Sequence, residues 1–400
     1  MPGALAVVKV LEIGTLIAGP FAARMLAEFG AEVVKIEDPR LGDPLRNWRH
    51  LHEGTSLWWY LQARNKKSIA LNLKDARAQA IARELALDAD IVIENYRPGV
   101  LERWNLGYEQ LAAANPATIM LRISGYGQTG PMRDRPGFGA IGESMGGIRF
   151  VTGHPDRPPL RVGISIGDSI AALHGVIGAL MALRHRDVTG GRGAGQGQMI
   201  DVALYESVFN LMESMLPEFD RFGVVRTRTG GSLPGIVPSN TYTCADGTAI
   251  VIAGNGDAIF RRLMTAIERP DLGDDPALAH NEGRVKRTAD IDYAIQHWCS
   301  GRDIDAALAT LQAADVPVSR IYSVADMVAD PQFAARQMIE QQALPDGTPL
   351  KVPAVVPKLS ATPGGTQWLG PALGEHTEEI LRRLGRDQAT IDALRRDGVI

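Results

Sequence analysis

The first 37 residues constrain the fold of this chain most strongly. AVVKVLEI (6–13) is a β-branched apolar run that stops at Gly14, and Pro20 opens a helical stretch, FAARMLAEFG, closed by Gly30. AEVVKI (31–36) follows as a second strand, with Glu37 at its end. Strand, helix and strand within about thirty residues make a βαβ unit, which favours a parallel sheet covered by helices. The pattern continues with strands at 68–73, 90–94 and 118–123 and a helix at 76–87. After a glycine loop at 190–197 come a strand, MIDVALY (199–205), and a helix, ESVFNLMESML (206–216). This part of the chain is α/β.

From about residue 222 the texture changes to a turn-rich segment, then strands at 240–243 and 249–253 flanking an ADG turn. Helices are expected at 257–266, 289–298 and 303–314, so 222–322 reads as a smaller second domain. The stretch beyond it has few strand signals, many prolines and a helix at 376–384. With 400 residues, more than one core is the natural expectation.

Several function classes lose ground on composition. A formal charge of −4 exerts no sequence-wide pull on nucleic acid or acidic membranes. The two cysteines, Cys244 and Cys299, supply neither a CxxC pair nor a disulfide framework, which fits a reducing cytoplasm. The eight histidines are scattered without HExxH or a Cys/His cluster, so no metal is expected. The N-terminus lacks the marks of a secretory signal. The most apolar stretch, 169–183, is bounded by Asp168 and Arg184 and reads as a buried helix rather than a membrane span. The expectation is a soluble, cytoplasmic protein.

The glycine motifs do not form nucleotide cradles. Gly14-x4-Gly19 is followed by Pro20 and Phe21 where a P-loop has Lys and Ser/Thr. The first βα turn lacks GxGxxG, so Glu37 reads as a strand-ending carboxylate rather than a ribose ligand. Gly163-x-Ser165-x-Gly167 is a literal GxSxG. A serine-hydrolase elbow at Ser165 needs VGIS as a strand and a helix directly after it, and no HGGG-type motif precedes it.

Asp168 is the more informative residue. At the mouth of the apolar helix it suits an N-cap, accepting from free backbone amides. The same position holds a carboxylate ionised and aimed out of the fold, where it can attack an acyl carbon. The resulting oxyanion needs amide donors, and the loop containing Gly230, Gly231, Ser232 and Gly235 has the character of a donor loop or a mobile lid.

The ordered set of segments resembles the class III CoA transferases, a family that includes formyl-CoA transferase, carnitine CoA transferases and 2-methylacyl-CoA racemase. The segments are VLEIGTLIAGPFAARMLAEFGAEVVKIEDPRLGD, NKKSIALNLK, ENYRPGVLERWNLGYEQL, RISGYGQTGPMRDRPGF, GISIGDSIAALHGVIGALMAL, GQGQMIDVALYES and LGEHTEEIL, and they cover nearly the whole chain. The resemblance implies an α/β fold: a Rossmann-like large domain with a parallel sheet (1–221 and 323–400), a small α+β domain (222–322) and an interlocked homodimer. It implies that Asp168 is the nucleophile of a transfer through aspartyl-anhydride and aspartyl-CoA intermediates, with coenzyme A thioesters as substrates and no metal. By motif match, Leu71, Lys74, Asn95, Tyr96, Arg97 and Arg103 are the CoA-binding candidates, with Lys66 and Lys67 beside them.

The departures are informative. Formyl-CoA transferase has an arginine where this chain has Asp38, and Arg40 is the candidate replacement. Its glutamine in the first βα turn corresponds to Ile17, which argues against formyl/oxalate specificity. The family's acid after RPG is missing at Phe138–Gly139, and Glu143, one helical turn later, is the candidate to take over. The racemase branch needs a histidine in that segment as one of two bases, and the segment has none. Arg226 and Arg228 hint at an acid with a second carboxylate, such as succinate or a branched C5 relative.

Overall fold

The computed structural model describes residues 3–400. The chain forms two compact units, one made of 1–148, 162–224 and 335–400, the other of 149–161 and 225–334.

The first unit is built on six parallel strands: β1 (Lys9–Glu12), β2 (Glu32–Glu37), β3 (Lys66–Ala70), β4 (Ile91–Glu94), β5 (Ile119–Ser124) and β6 (Met199–Ala203). Their order is β3-β2-β1-β4-β5-β6, and every pairing is parallel. The chain therefore moves outward from β1 on one side and restarts beside β1 on the other. The crevice at the carboxyl ends of β1 and β4 is the switch point where open α/β sheets take their ligands.

Alternation along the strands feeds two cores. Val10, Val33, Ile91, Ile93, Ile119, Leu121 and Ile123 face α1 (Ala18–Glu28) and the long helix Ile166–Val188. Leu11, Val34, Ile36, Val92 and Met120 face α2 (Ala76–Asp88) on the opposite side. Each buried branched side chain contributes about 1.5–3 kcal/mol. Pro20 lies in the first turn of α1, and Gly30 follows its C-cap at φ +101°. Asp75 caps α2 by accepting from the Arg77 amide.

The β5–β6 crossover carries α3 (Gly139–Met145) and α4 (Ile166–Val188), and α5 (Leu204–Phe209) follows β6. By length and composition α4 is apolar enough to cross a membrane. One face of it, including Ala171, Ala172, Val176, Ala179 and Leu183, is buried in the sheet core, so it serves as a core helix. Leu173, Ile177, Leu180, Met181 and Val188 remain exposed on its other side. The helix expected at 206–216 breaks at 210–214, where Glu213 turns to φ +50°, and resumes at Met215–Phe222.

In the second unit β7 (Ser239–Thr243), β8 (Ala249–Ala253) and β9 (Val318–Arg320) form an antiparallel sheet in the order β9-β8-β7. It packs with α6 (Asp257–Ala266), α7 (Thr288–Ser300) and α8 (Ile304–Ala313). Cys244 and Cys299 are buried free thiols in this core. The C-terminal segment holds an antiparallel hairpin, β10 (Ile339–Ala343) and β11 (Pro349–Pro353), where few strand signals were expected. Its sequence, IEQQA, is polar because the hairpin is largely exposed, and only the PDG turn at 345–347 announces it. Helices α9 (Thr377–Arg383) and α10 (Gln388–Arg396) close the α2-side core through Ile380, Leu381, Ile391 and Leu394.

Candidate active site

A cleft of about 250 Å³ opens at the carboxyl ends of β1 to β4. Thr15, Asp38, Leu71, Lys74, Tyr96 and Trp104 are among its lining residues, which brings together three of the expected CoA-binding positions. Tyr96 packs edge-on against Trp104, with ring centroids 5.5 Å apart. Its backbone amide donates to Glu94, itself bonded to Arg122. Burial pushes Glu94 up to about 7, against the pull of Arg122.

The turn after β1 forms one wall. Leu16 takes φ +64°, a left-handed conformation that costs a non-glycine residue about 1 kcal/mol or more. Side chains from four other segments hold it there. Asn95 accepts from the Thr15 amide and donates to the Thr15 carbonyl, both at 2.8 Å. Asp43 accepts from the Leu16 amide, Lys35 donates to the Gly14 carbonyl and Gln62 donates to the Ile17 carbonyl. Asn95 thus faces the turn, and Ile17 is buried as the N-cap of α1.

Beneath the turn lies a buried chain of charges. The two oxygens of Glu12 are shared between Lys35 at 2.7 Å and Lys66 at 2.6 Å, and Lys35 also pairs with Asp43 at 2.8 Å. Burial works against the charge of Lys35, yet Asp43, Glu12 and Glu37 hold its pKa above the ordinary lysine value. Burial pushes Lys66 down to about 8, only partly offset by Glu12. Lys66 is therefore a scaffold cation, which corrects its expected place among phosphate ligands: its amine is enclosed by Glu12 and the Pro20 carbonyl. Lys67 pairs with Glu379 at 2.6 Å. Glu37 binds Arg46, the Asp43 amide and Ser68, a structural role rather than a ribose-binding one.

Asp168 is not the helix cap. Ser165 occupies that position, and Asp168 lies in the first turn of α4, where the exposed amide end of the helix favours its negative charge. Residues 161–165 form no strand, so Ser165 lacks the strand-to-helix elbow of a hydrolase. The Asp168 carboxylate lies directly over Gly139: a Cβ there would fall 2.0 Å from Oδ2 and 2.7 Å from Cγ. Helix α3 is seated by two further close approaches, Gly142 on Leu204 and Gly146 on Val208, which pack it on α5. Gly125 and Gly137 meet backbone to backbone just before it, and Phe138 at its N-cap is exposed. Glu143 is 1% exposed and faces Gly167.

The remaining expected residues are placed as follows. Arg40, Arg97 and Arg103 are exposed in the first unit and are not among the residues lining the cleft. In the second unit Gly230 (φ +68°) packs on His154, Gly231 packs on Asn240 and Thr241, and Gly235 (φ +76°) is open to solvent. Ser232 exchanges hydrogen bonds with Thr229. Arg228 donates to the carbonyls of Phe150 and His154. Among the described residues, the only trio of ligand-type groups close enough for a cation is the surface set His52, Glu53 and Asp346, where His52 pairs with Asp346 at 2.8 Å.

Glu12, Lys35 and Asp43 are not singled out by the sequence. A lysine and a glutamate inside apolar strands were the available signal for the first two. Gly139 is legible in the sequence as a departure from the family's acid, and the structure adds that its missing side chain leaves room for the Asp168 carboxylate.

This geometry can be set against known proteins. The family model for CoA-transferase family III matches residues 5–377. A succinyl-CoA–D-citramalate CoA-transferase of Chloroflexus aurantiacus is 50% identical over 378 residues, spanning 94% of this chain and 93% of that protein. The β subunit of a succinyl-CoA–L-malate CoA-transferase from the same organism is 39% identical over 99% of this chain and 98% of its own length. A CAIB/BAIF family protein from Brucella suis, 33% identical, matches with a TM-score of 0.82 over 96% of this chain and 100% of that one. Family model, full-length relatives and fold agree: the chain belongs to CoA-transferase family III and is a class III CoA-transferase.

Proposed function

We propose that this enzyme moves CoA from succinyl-CoA to a short dicarboxylic acid such as citramalate or malate, with Asp168 as the covalent nucleophile. The observation that carries the reading is the seat of Asp168, an acid in the first turn of a helix with its carboxylate over a glycine that leaves it room. The names of the relatives support the substrate class.

In the first step an Asp168 oxygen adds to the thioester carbonyl carbon, the C–S bond breaks, and CoA thiolate leaves an aspartyl-succinyl anhydride. The thiolate then attacks the Asp168 carbonyl carbon, releasing succinate and forming an aspartyl-CoA thioester. The acceptor carboxylate repeats the sequence in reverse, and Asp168 is regenerated as the new thioester departs. No step needs an external proton or ATP, because each attacking group is already an anion. Water must be kept from the anhydride, because its hydrolysis would discard the thioester energy.

In this reading the first unit is the CoA-binding domain. Leu71, Lys74 and Tyr96 receive the nucleotide end in the cleft, with Arg40, Arg97 and Arg103 as cations for its phosphates and Asn95 holding the wall. Ile17 and Phe138 bound the acyl side. A homodimer completes the proposal. The exposed apolar residues Leu173, Ile177, Leu180 and Met181 on α4, with Val188 two turns on, are of the kind a subunit interface covers.

Intact-protein mass spectrometry after incubation with succinyl-CoA tests the nucleophile. The wild type acquires a hydroxylamine-sensitive adduct, and Asp168→Ala stays unmodified. The same adduct on Asp168→Ala, or one mapped to Ser165, overturns the assignment.

A further inference from the structure

Helices α3 and α4 exchange a glycine for a carboxylate twice along one seam. Opposite Asp168 on α4 stands Gly139 on α3, and opposite Glu143 on α3 stands Gly167 on α4. A Cβ on Gly167 would lie 3.0 Å from Glu143 Cγ and 3.7 Å from its Oε1, and the Gly139 carbonyl would lie 3.2 Å from the same point. Gly139 and Glu143 are four residues apart and share a face of α3, and they meet the adjacent residues Asp168 and Gly167 in the first turn of α4. A glutamate only 1% exposed is uncommon, and the transfer chemistry above makes no use of it.

We propose that Glu143 is the positioning residue of Asp168. Its side chain fills the gap opened by Gly167 and so sets the rotation of the first turn of α4. That rotation aims the adjacent Asp168 carboxylate across Gly139 toward the incoming thioester. The role is one of shape. Gln has the length and volume of Glu and keeps the fit, whereas Ala leaves a gap into which the turn relaxes. Small misplacements of a reacting atom are costly, since about 1 Å can lower a rate 10²-fold. The inference rests on Asp168 as nucleophile.

The test measures the single-turnover rate of the succinyl-CoA adduct, with kcat, KM and the thermal midpoint, in four variants of the full chain. Glu143→Gln is expected within about 3-fold of wild type, and Glu143→Ala about 10- to 100-fold slower with KM unchanged. Gly167→Ala, which presses on Glu143 from the other side, is expected to slow adduct formation as well. The double variant Glu143→Ala/Gly167→Ala fills the gap with the new methyl and recovers part of the rate. That rescue is a signature that neither a purely charged role nor a general loss of fold produces. The proposal is overturned if Gln is as slow as Ala, if Ala matches wild type, or if the double variant is slower than either single one. Asp168→Ala separates the two levels. An adduct persisting there removes the nucleophile itself, while its loss beside a normal Glu143→Ala removes only the positioning role.

Discussion

Gly139→Ala is the sharpest perturbation of this site, because its size can be worked from the coordinates. The new Cβ would lie 2.0 Å from Asp168 Oδ2, where an ordinary contact begins near 3.4 Å, so about 1.4 Å of separation must be found. Helix α3 cannot readily supply it, since Gly142 and Gly146 already meet Leu204 and Val208 with no slack. The carboxylate must swing instead. A displacement of about 1 Å at a reacting atom costs on the order of 10²-fold, or about 2.7 kcal/mol of barrier. Stability should change little or improve slightly, because Ala exceeds Gly in helix propensity by about 1 kcal/mol. The assay is quenched-flow formation of the succinyl-CoA adduct, alongside KM and the thermal midpoint. The expected pattern is a kcat about 100-fold down, KM within about 3-fold and an intact midpoint. A variant that forms the adduct at the wild-type rate would refute the reasoning, because the carboxylate would then react from a position the methyl group excludes.

Two further outcomes are expected. Glu94 holds its proton up to about 7 in the folded state against an ordinary value near 4.5, so the folded protein binds the extra proton between those values. Its contribution is fully present below about 4.5 and lost as pH rises through about 7. Thermal midpoints of wild type and Glu94→Gln should therefore diverge in favour of the variant from pH 4.5 to 7 and run parallel above, and a pH-independent gap would contradict this. Ile177→Glu combined with Met181→Glu places two charges on the exposed face of α4. Sedimentation should show a dimer for wild type and a monomer for the variant, and a monomeric wild type would end the dimer proposal.

The parallel sheet was legible in the sequence because β1, β2, β4 and β5 carry buried runs of Val, Ile, Leu and Met, while β3 (KKSIA) is marked only by its apolar end. Strand ends shifted by a few residues, as at 6–13 against Lys9–Glu12, since apolar residues continue past the last ladder bond. The hairpin at 339–353 was not legible, as exposed strands need no apolar face. Asp168, Leu71, Lys74, Asn95 and Tyr96 stand out through ordered motifs, and the same motifs offered Lys66, whose amine the structure encloses with Glu12. A lysine that binds a phosphate and a lysine that neutralises a buried glutamate are identical letters. Only the three-dimensional neighbours distinguish them, and those come from segments tens of residues away. Gly139 shows the reverse case: the sequence marks it as a departure from the family's acid, and only its neighbours show that the lost side chain makes room for Asp168.

The turn after β1 carries a consequence for how this site can be altered. Its amides and carbonyls are held by Lys35, Asp43, Gln62 and Asn95, which arise from four separate stretches of chain, and Glu12 and Lys66 anchor that set from below. The backbone path at Thr15–Ile17 therefore belongs to the whole set and not to the turn's own residues. Grafting a different turn between Gly14 and Ala18 would leave Asn95, Asp43 and Gln62 without the backbone groups of Thr15, Leu16 and Ile17 that they bind. Diversification at this wall is thus channelled into the identity of single side chains, above all at Ile17, whose replacement leaves every one of those hydrogen bonds in place.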